Sequence, residues 1–250
     1  MKDNFTLKHQ LNHRTIRAFS PQKMSTEELE TLYEVARHTA TSMFNQQFSI
    51  IHVTDTAKKA AIRKICNQDY VGENGELLIF VVDLYRNYLI RKQKGSDAGR
   101  LHTTDVFMQG VCDTVLAAQN VTNAAESMGL GCVYLGSIQN DAAQMIDLLK
   151  LPKLTYPLLG MQVGYPAQAP QLKPRLPLEF TCFEDEYQPL ADIHKLADYD
   201  KQVNLYYDLR DTNRRVDTFT DQINSAKLAA QITKRDEMLE VLHRQELCWK

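Results

Sequence analysis

The segment Asp105–Ser137 constrains the fold of this chain most, because it joins a long helical pattern to a short buried strand. Apolar residues recur at helical spacing in its first part, at Met108, Val111, Cys112, Val115 and Leu116. No Gly or Pro falls between Val111 and Met128, and Gly129 suits the left-handed turn that ends a helix. The apolar run Cys132–Leu135 then predicts a buried strand that ends at Gly136-Ser137. We expect a cofactor where this buried helix and strand reach the glycine.

The remaining pattern predicts alternating helices and strands up to about residue 165. Helices are predicted over Met24–Thr41, Ala57–Ile65 and Ala142–Leu149. Strands are predicted over Gln47–Thr54, Leu77–Asp83 and Pro157–Gly164, and the continuous apolar run in the second predicts a strand covered on both faces. Residues 91–100 are predicted to be a mobile loop or a helix end.

Composition changes after Pro166, where recurring prolines predict an extended connection. The charged, helical sequence from about Phe180 has few apolar residues per turn, so we expect it to lie as an arm on the main body or on a partner subunit. The predicted division is therefore a core over residues 1–179 and a C-terminal extension over residues 180–250.

Charge and cysteine usage bound the class of protein. A net charge of −2 over 250 residues gives no electrostatic argument for binding nucleic acid or a membrane surface. The five cysteines show no close pairing, which fits a reducing compartment. No signal peptide is recognisable, and the most apolar run, Leu77–Val82, is too short to span a bilayer. We predict a cytoplasmic globular protein.

Two short clusters of cations are candidates for anion binding. The first, His13-Arg14-Thr15-Ile16-Arg17, places two guanidinium groups, an imidazole and a hydroxyl close together, and arginine suits phosphate because its planar fork donates two parallel hydrogen bonds. The second is Lys173-Pro174-Arg175 in the proline-rich connection. Taken alone, a solvated basic patch and an exposed linker are the plainer interpretations of these two clusters.

Other kinds of site find little support. His9 and His13 are four residues apart, but no Cys, Asp or Glu completes a ligand set, so no metal site is predicted. Gly129-x-Gly131 follows a helix rather than a strand, which argues against a Rossmann site. Cys112 and Cys132 have apolar neighbours and are predicted to be core thiols rather than nucleophiles.

Taken together, the segments resemble the nitroreductase family, in its branch of NADPH-dependent nitroreductases and flavin reductases. The similarity runs in order along nearly the whole chain, through His13–Arg17, Ala118–Asn120, Ala124–Gly131, Tyr134–Ser137, Leu148–Pro152, Leu172–Pro177 and Asn213–Arg215. The resemblance implies an α+β fold with a central mixed sheet flanked by helices, built as an intertwined homodimer with two FMN molecules at the interface. The long helix would then form much of the dimer core, and the C-terminal arm would embrace the partner.

The resemblance also implies roles for individual residues. The FMN phosphate would be held by Arg14, Lys173 and Arg175, with His13 and Thr15 adjoining, and Arg17 would face the N1/O2 edge of the flavin ring. Backbone N–H groups of Gly136 or Ser137, at the end of the strand carrying Tyr134 and Leu135, would reach ring atoms N5 or O4, and Gln68 would contact the ring. The other subunit would supply residues of one loop, Thr41, Ser42, Met43 and Gln46.

NADPH is the implied electron donor, and its 2′-phosphate would be bound by Arg210 with help from Arg235. The sequence departs from the family pattern at Ala40–Met43, at Ser137 in place of a glycine and at Gln139, all at the substrate face. The implied reaction is ping-pong hydride transfer from NADPH to FMN and then to a nitroaromatic, quinone, free flavin or azo compound, with no catalytic side chain. A non-catalytic flavin-binding protein and a ligand-free helical scaffold are the alternatives.

Overall fold

The computed structural model describes residues 4–208, 217–226, 228 and 232–250. The chain forms two compact units, one made of the residues up to Pro170 together with Thr233–Lys250, the other of Gln171–Ile232. The domain boundary expected at residue 180 stays a prediction. Among the described residues, no helix combines the length and apolar composition that a membrane span requires.

A four-stranded sheet forms the centre of the first unit. Its strands are β1 (Phe48–Val53), β2 (Glu76–Asp83), β3 (Gly131–Leu135) and β4 (Thr155–Gly164). They lie in the order β1-β2-β4-β3, and each neighbouring pair is antiparallel. The four strands therefore do not form the mixed sheet that the resemblance implies by themselves. Among the described residues, a parallel contact is added by the bridge between Thr15 and Cys132, on the outer edge of β3. All six residues from Leu77 to Val82 are at most 2% exposed, which confirms that β2 is covered on both faces.

Helices cover this sheet, and the α+β class predicted from the sequence is confirmed. Nine α-helices lie in the described part of the chain: α1 (Phe5–Leu11), α2 (Thr26–Arg37), α3 (Thr56–Cys66), α4 (Tyr85–Gln93), α5 (Thr104–Ser127), α6 (Ala142–Leu149), α7 (Ala197–Asp208), α8 (Phe219–Ile223) and α9 (Met238–Arg244). The predicted capping box starts α2, where Ser25 Oγ accepts from Glu28 N–H and the Glu28 carboxylate accepts from Ser25 N–H. The sequence analysis did not predict α1 and α4, which bury none of their residues.

The longest helix, α5, packs on the sheet through its small residues. Ala117, Ala118 and Ala125 are at most 1% exposed, and a methyl group added at Gly110 would lie 2.7 Å from Val82 Cγ1. This close approach leaves the bulkier stripe facing outward, where Met108, Cys112, Val115 and Leu116 are exposed. Within the single chain, the expectation of a buried helix is therefore wrong for this face, and Cys112 is exposed there rather than a core thiol. Gly129 has a φ of +79°, as the predicted helix stop requires.

The residues after Thr233 return to the first unit. Gln245 accepts from Leu154 N–H at 2.8 Å through its main-chain oxygen, and its side-chain amide donates to Pro152 O and Thr155 O. Val241, Leu242 and Leu247 are buried there against residues such as Phe107 and Tyr156. Residues 233–250, which lie within the expected C-terminal extension, therefore pack with the first unit.

Candidate functional site

The basic N-terminal cluster lies along the exposed edge of β3. Thr15 pairs with Cys132, and Ile16 N–H donates to Cys132 O at 2.9 Å. Ile16 is buried and lies directly over Gly131, where an added Cβ would be 2.4 Å from Ile16 Cγ1. Residue 131 must therefore be glycine for the segment to rest on the strand. This packing fixes the backbone that carries His13, Arg14 and Arg17.

The basic side chains of this cluster differ in the hydrogen bonds and ion pairs that they make within the chain. His13 Nδ1 is 2.5 Å from Glu126 Oε1, so α5 holds the imidazole. Arg14 is half-buried and donates from Nη1 to Asn12 O at 3.1 Å, which leaves its other N–H groups for a ligand. Arg17 is exposed and makes no hydrogen bond or ion pair within the described part of the chain. The segment thus presents positive charge at the edge of the sheet.

The other end of β3 carries an open glycine and a polar pair. Gly136 is exposed, and among the described residues no atom outside its two chain neighbours lies within 4 Å of the position that a Cβ would occupy. Ser137 Oγ donates to Gln68 Oε1 at 2.9 Å, so the structure brings together two predicted site residues from distant parts of the sequence. Leu135 is buried beneath them, and Tyr134 points back to α5, where its hydroxyl accepts from Thr122 Oγ1 at 2.6 Å. Burial raises the pKa of Tyr134 to about 12, so this phenol stays neutral.

These two groups lie along one strand. Thr15 pairs at Cys132, and Gly136 follows four residues later, which in an extended strand is a distance of about 13 Å. A ligand that spans this distance would contact the cationic segment at one end. At the other end it would contact the exposed backbone of Gly136 and the side-chain amide of Gln68. The arrangement suits an elongated molecule with an anionic group at one end.

The loop Thr41–Gln46 is held in a strained shape by a buried carboxylate. Asp113 of α5 is 1% exposed and accepts from Ser42 N–H at 2.7 Å and from Gln47 N–H at 3.1 Å. Met43 and Gln46 have φ values of 52° and 50°, in the left-handed region that residues other than glycine rarely adopt. Met43 is 81% exposed. Its predicted contact with ligand in another subunit stays a prediction.

The remaining predicted site residues lie elsewhere in the chain. Lys173 and Arg175 belong to the second unit, where Arg175 Nη1 donates to Lys173 O at 2.9 Å; their convergence with Arg14 stays a prediction. Arg210 lies outside the described residues. Arg235 is exposed beside the ion pair of Lys234 with Asp141.

Sequence reasoning missed the buried polar residues that hold this site. Gln162 of β4 is 1% exposed, and its amide accepts from Gly72 N–H at 2.8 Å and donates to Asn74 O at 2.6 Å and to Tyr70 O at 3.1 Å. Asp113 and Glu126 have similar roles on α5. The sequence signal that could have indicated them is a polar residue at an apolar position: Gln162 lies inside an apolar strand, and Asp113 and Glu126 lie next to the small residues of a helix.

The chain matches two models of known families. Residues 11–165 match the model described as "Nitroreductase family", and residues 173–250 match "Nitroreductase family, C-terminal domain". The chain is 40% identical over 224 residues to an FMN reductase (NADPH) of Bacillus subtilis (strain 168), covering 88% of this chain and 90% of the relative. It is 39% identical over 234 residues to an oxygen-insensitive NADPH nitroreductase of Salmonella typhimurium, covering 93% and 94%.

Solved structures show the same similarity. The NfrA1 nitroreductase from B. subtilis superposes with a TM-score of 0.91 at 36% identity, covering 98% of this chain and 100% of that one. The NADPH:FMN oxidoreductase from Vibrio harveyi, solved in complex with NAD+, gives a TM-score of 0.86 at 33% identity, covering 98% and 99%.

Proposed function

The chain belongs to the nitroreductase family, and on that premise we propose that it is an FMN-dependent oxidoreductase that draws electrons from NADPH and passes them to small organic acceptors. The single observation that carries the proposal is the alignment of two sites along β3. The cationic segment rests on one end of the strand, and an open glycine lies beside the Gln68 amide at the other. The names of two similar proteins, an FMN reductase (NADPH) and an NADPH nitroreductase, support the same cofactor and electron donor.

The residues fit FMN in shape and in chemistry. Arg14, with Thr15 and His13 beside it, offers N–H and O–H donors to a phosphate, and the proposed site adds Lys173 and Arg175. Gly136 leaves room for a flat ring to approach the backbone, and β3 places Tyr134 and Leu135 directly before it. Arg17 would hold positive charge at the ring edge where negative charge gathers on reduction.

When bound, FMN supplies the redox chemistry, accepting a hydride and returning two electrons. The protein binds and orients the reactants, and we assign no side chain as general acid or base. We propose a ping-pong sequence in which NADPH and an acceptor use the same opening in turn, the acceptor being a nitroaromatic, a quinone, a free flavin or an azo compound. Arg235, with Arg210, is proposed to bind the 2′-phosphate of NADPH.

A homodimer is part of the proposal. The outward stripe on α5 is apolar, with Met108, Val115 and Leu116 each about half exposed, and the loop that Asp113 holds projects Met43 and Phe44 at 81% and 83% exposure. A second copy that covered this surface would bury apolar area and bring Thr41, Ser42 and Gln46 to the partner's site. The five free cysteines fit a cytoplasmic enzyme.

The test combines binding with turnover. The apoprotein is titrated with FMN by fluorescence quenching, and the loaded protein is then assayed for NADPH oxidation with a nitroaromatic or a quinone. Arg14→Ala is expected to weaken FMN binding roughly 10- to 100-fold, the size of one or two charge-assisted hydrogen bonds. The matched control is Arg37→Ala, which removes an exposed arginine that pairs with Glu34 on α2.

Each outcome has a distinct meaning. Unaltered FMN affinity in Arg14→Ala refutes the assignment of the phosphate site. FMN binding without NADPH oxidation would instead favour a flavin sensor or store, and a wild-type protein that binds no FMN excludes both.

A further inference from the structure

The side-chain amide of Gln68 is held at its oxygen by two hydroxyl groups. Gln68 Oε1 accepts from Ser137 Oγ at 2.9 Å and from Tyr70 Oη at 3.0 Å. An amide oxygen has two acceptor positions, so both are in use. The Nε2 group makes no hydrogen bond within the described part of the chain. Gln68 therefore offers its two N–H donors to whatever lies beside Gly136.

The loop that carries Gln68 and Tyr70 is itself fixed from two sides. The buried Gln162 amide contacts the main chain at Tyr70, Gly72 and Asn74, as described above. Asn140 Nδ2 donates to Ile65 O at 3.2 Å and to Cys66 O at 3.3 Å, which are orphan carbonyls at the end of α3. The amide of Gln68 is thus clamped on a rigid support rather than on a free loop.

We propose that Ser137 is a positioning residue that, with Tyr70, turns the Gln68 side chain so that Nε2 donates a hydrogen bond to an acceptor atom of the bound flavin ring. The inference rests on the proposed function, because it takes FMN as the ligand beside Gly136. It also fixes the direction of the hydrogen bond. The flavin atom beside Gln68 is an oxygen or an unprotonated nitrogen, which accepts, and not the N3–H group, which donates. Ser137 itself does not need to touch the ring through its side chain.

A double-mutant cycle on FMN affinity tests the positioning role. Ser137→Ala is expected to weaken FMN binding roughly 3- to 10-fold, because the amide gains freedom to rotate away. Gln68→Ala is expected to weaken it at least as much, and Ser137→Ala made in the Gln68→Ala background should add nothing. Ser137→Thr keeps the hydroxyl and should bind FMN more tightly than Ser137→Ala.

The matched control is Ser49→Ala, which removes a serine hydroxyl that donates to Asp83 Oδ2 at 2.6 Å away from this cluster. It should leave FMN affinity unchanged. Thermal unfolding of each apoprotein shows whether a variant has lost its fold rather than its contact. An unchanged FMN affinity in Ser137→Ala, or an equal loss in the presence and absence of the Gln68 amide, overturns the inference while the proposed function stands.

The direction of the hydrogen bond is tested by Gln68→Glu. A carboxylate only accepts hydrogen bonds. If the flavin ring presents an acceptor to residue 68, the Gln68→Glu protein should therefore bind FMN more weakly than the Gln68→Ala protein. Lowering the pH protonates the new carboxyl and should restore part of the affinity of this variant, with no matching gain in Gln68→Ala. A Gln68→Glu protein that binds FMN as well as or better than Gln68→Ala contradicts the donor assignment. Failure of the wild-type apoprotein to bind any FMN counts instead against the proposed function.

Discussion

The contact between Gly131 and Ile16 gives the sharpest test of how the site is assembled. In Gly131→Ala the new methyl carbon would lie 2.4 Å from Ile16 Cγ1, 2.8 Å from Ile16 Cβ and 3.1 Å from Ile16 Cγ2. Real carbon atoms do not approach so closely, and Ile16 is both buried and tied by its N–H to the same strand. The N-terminal segment must therefore move away from β3.

Overpacking of this kind costs about 1–3 kcal/mol of unfolding free energy, which for a chain of this size lowers Tm by roughly 2–12 °C. The measurement is thermal unfolding of the apoprotein, followed by FMN titration. Affinity should fall as well, because the displaced segment carries Arg14 and Arg17.

A second variant separates this clash from other effects of the alanine. Ile16→Ala removes Cγ1 and Cγ2, which account for two of the three nearest contacts, so Gly131→Ala should cost less stability in the Ile16→Ala background than in the wild type. The reasoning is refuted if Gly131→Ala unfolds at the wild-type temperature, or if its cost is the same in both backgrounds.

Three further outcomes are expected. Gly136→Ala should keep the wild-type Tm, because no described atom outside its two chain neighbours lies within 4 Å of the added carbon. It should nevertheless weaken FMN binding several-fold in a fluorescence titration, and undiminished binding would show that the flavin ring does not lie at this position. Leu116→Asp places a charge on the outward stripe of α5 and should convert a dimer to monomers in sedimentation velocity, whereas an unchanged dimer would move the interface elsewhere. Burial raises the pKa of Tyr134 and of Tyr156 to about 12, from a value near 10 in the unfolded chain, so their contribution to stability is complete below about pH 10 and is lost as the pH rises toward 12. Ultraviolet titration of tyrosinate should show ionisation that continues toward pH 12, and Tyr134→Phe should reduce the amplitude of this late phase.

Strong apolar patterns made much of the fold predictable. Helix α6 runs over Ala142–Leu149 as expected, and β2 is the fully covered strand that its six apolar residues indicate. The same rule failed on the outer face of α5, because periodicity identifies an apolar stripe but does not say what covers it. There the small residues pack on the sheet and Leu116 remains outside.

The site was predictable in its residue types and much less so in its supports. The basic cluster and the glycine at the strand end are visible in the sequence, but the contact of Ser137 with Gln68 joins positions 69 residues apart. Buried carboxylates and amides such as Asp113 and Gln162 have no local signature, since their partners are main-chain groups brought close only by the fold.

The return of the last residues to the first unit sets an order of events during synthesis. The Gln245 side chain donates to the main-chain oxygen of Thr155, at the start of β4 and 90 residues earlier in the sequence. Leu242 and Leu247 belong to a buried apolar cluster that also contains Phe107. On the ribosome, the strands and α5 emerge long before these residues exist. A nascent chain that stops short of residue 233 would carry an uncovered apolar surface for the whole time needed to translate the second unit, so early chaperone contact is expected at that surface.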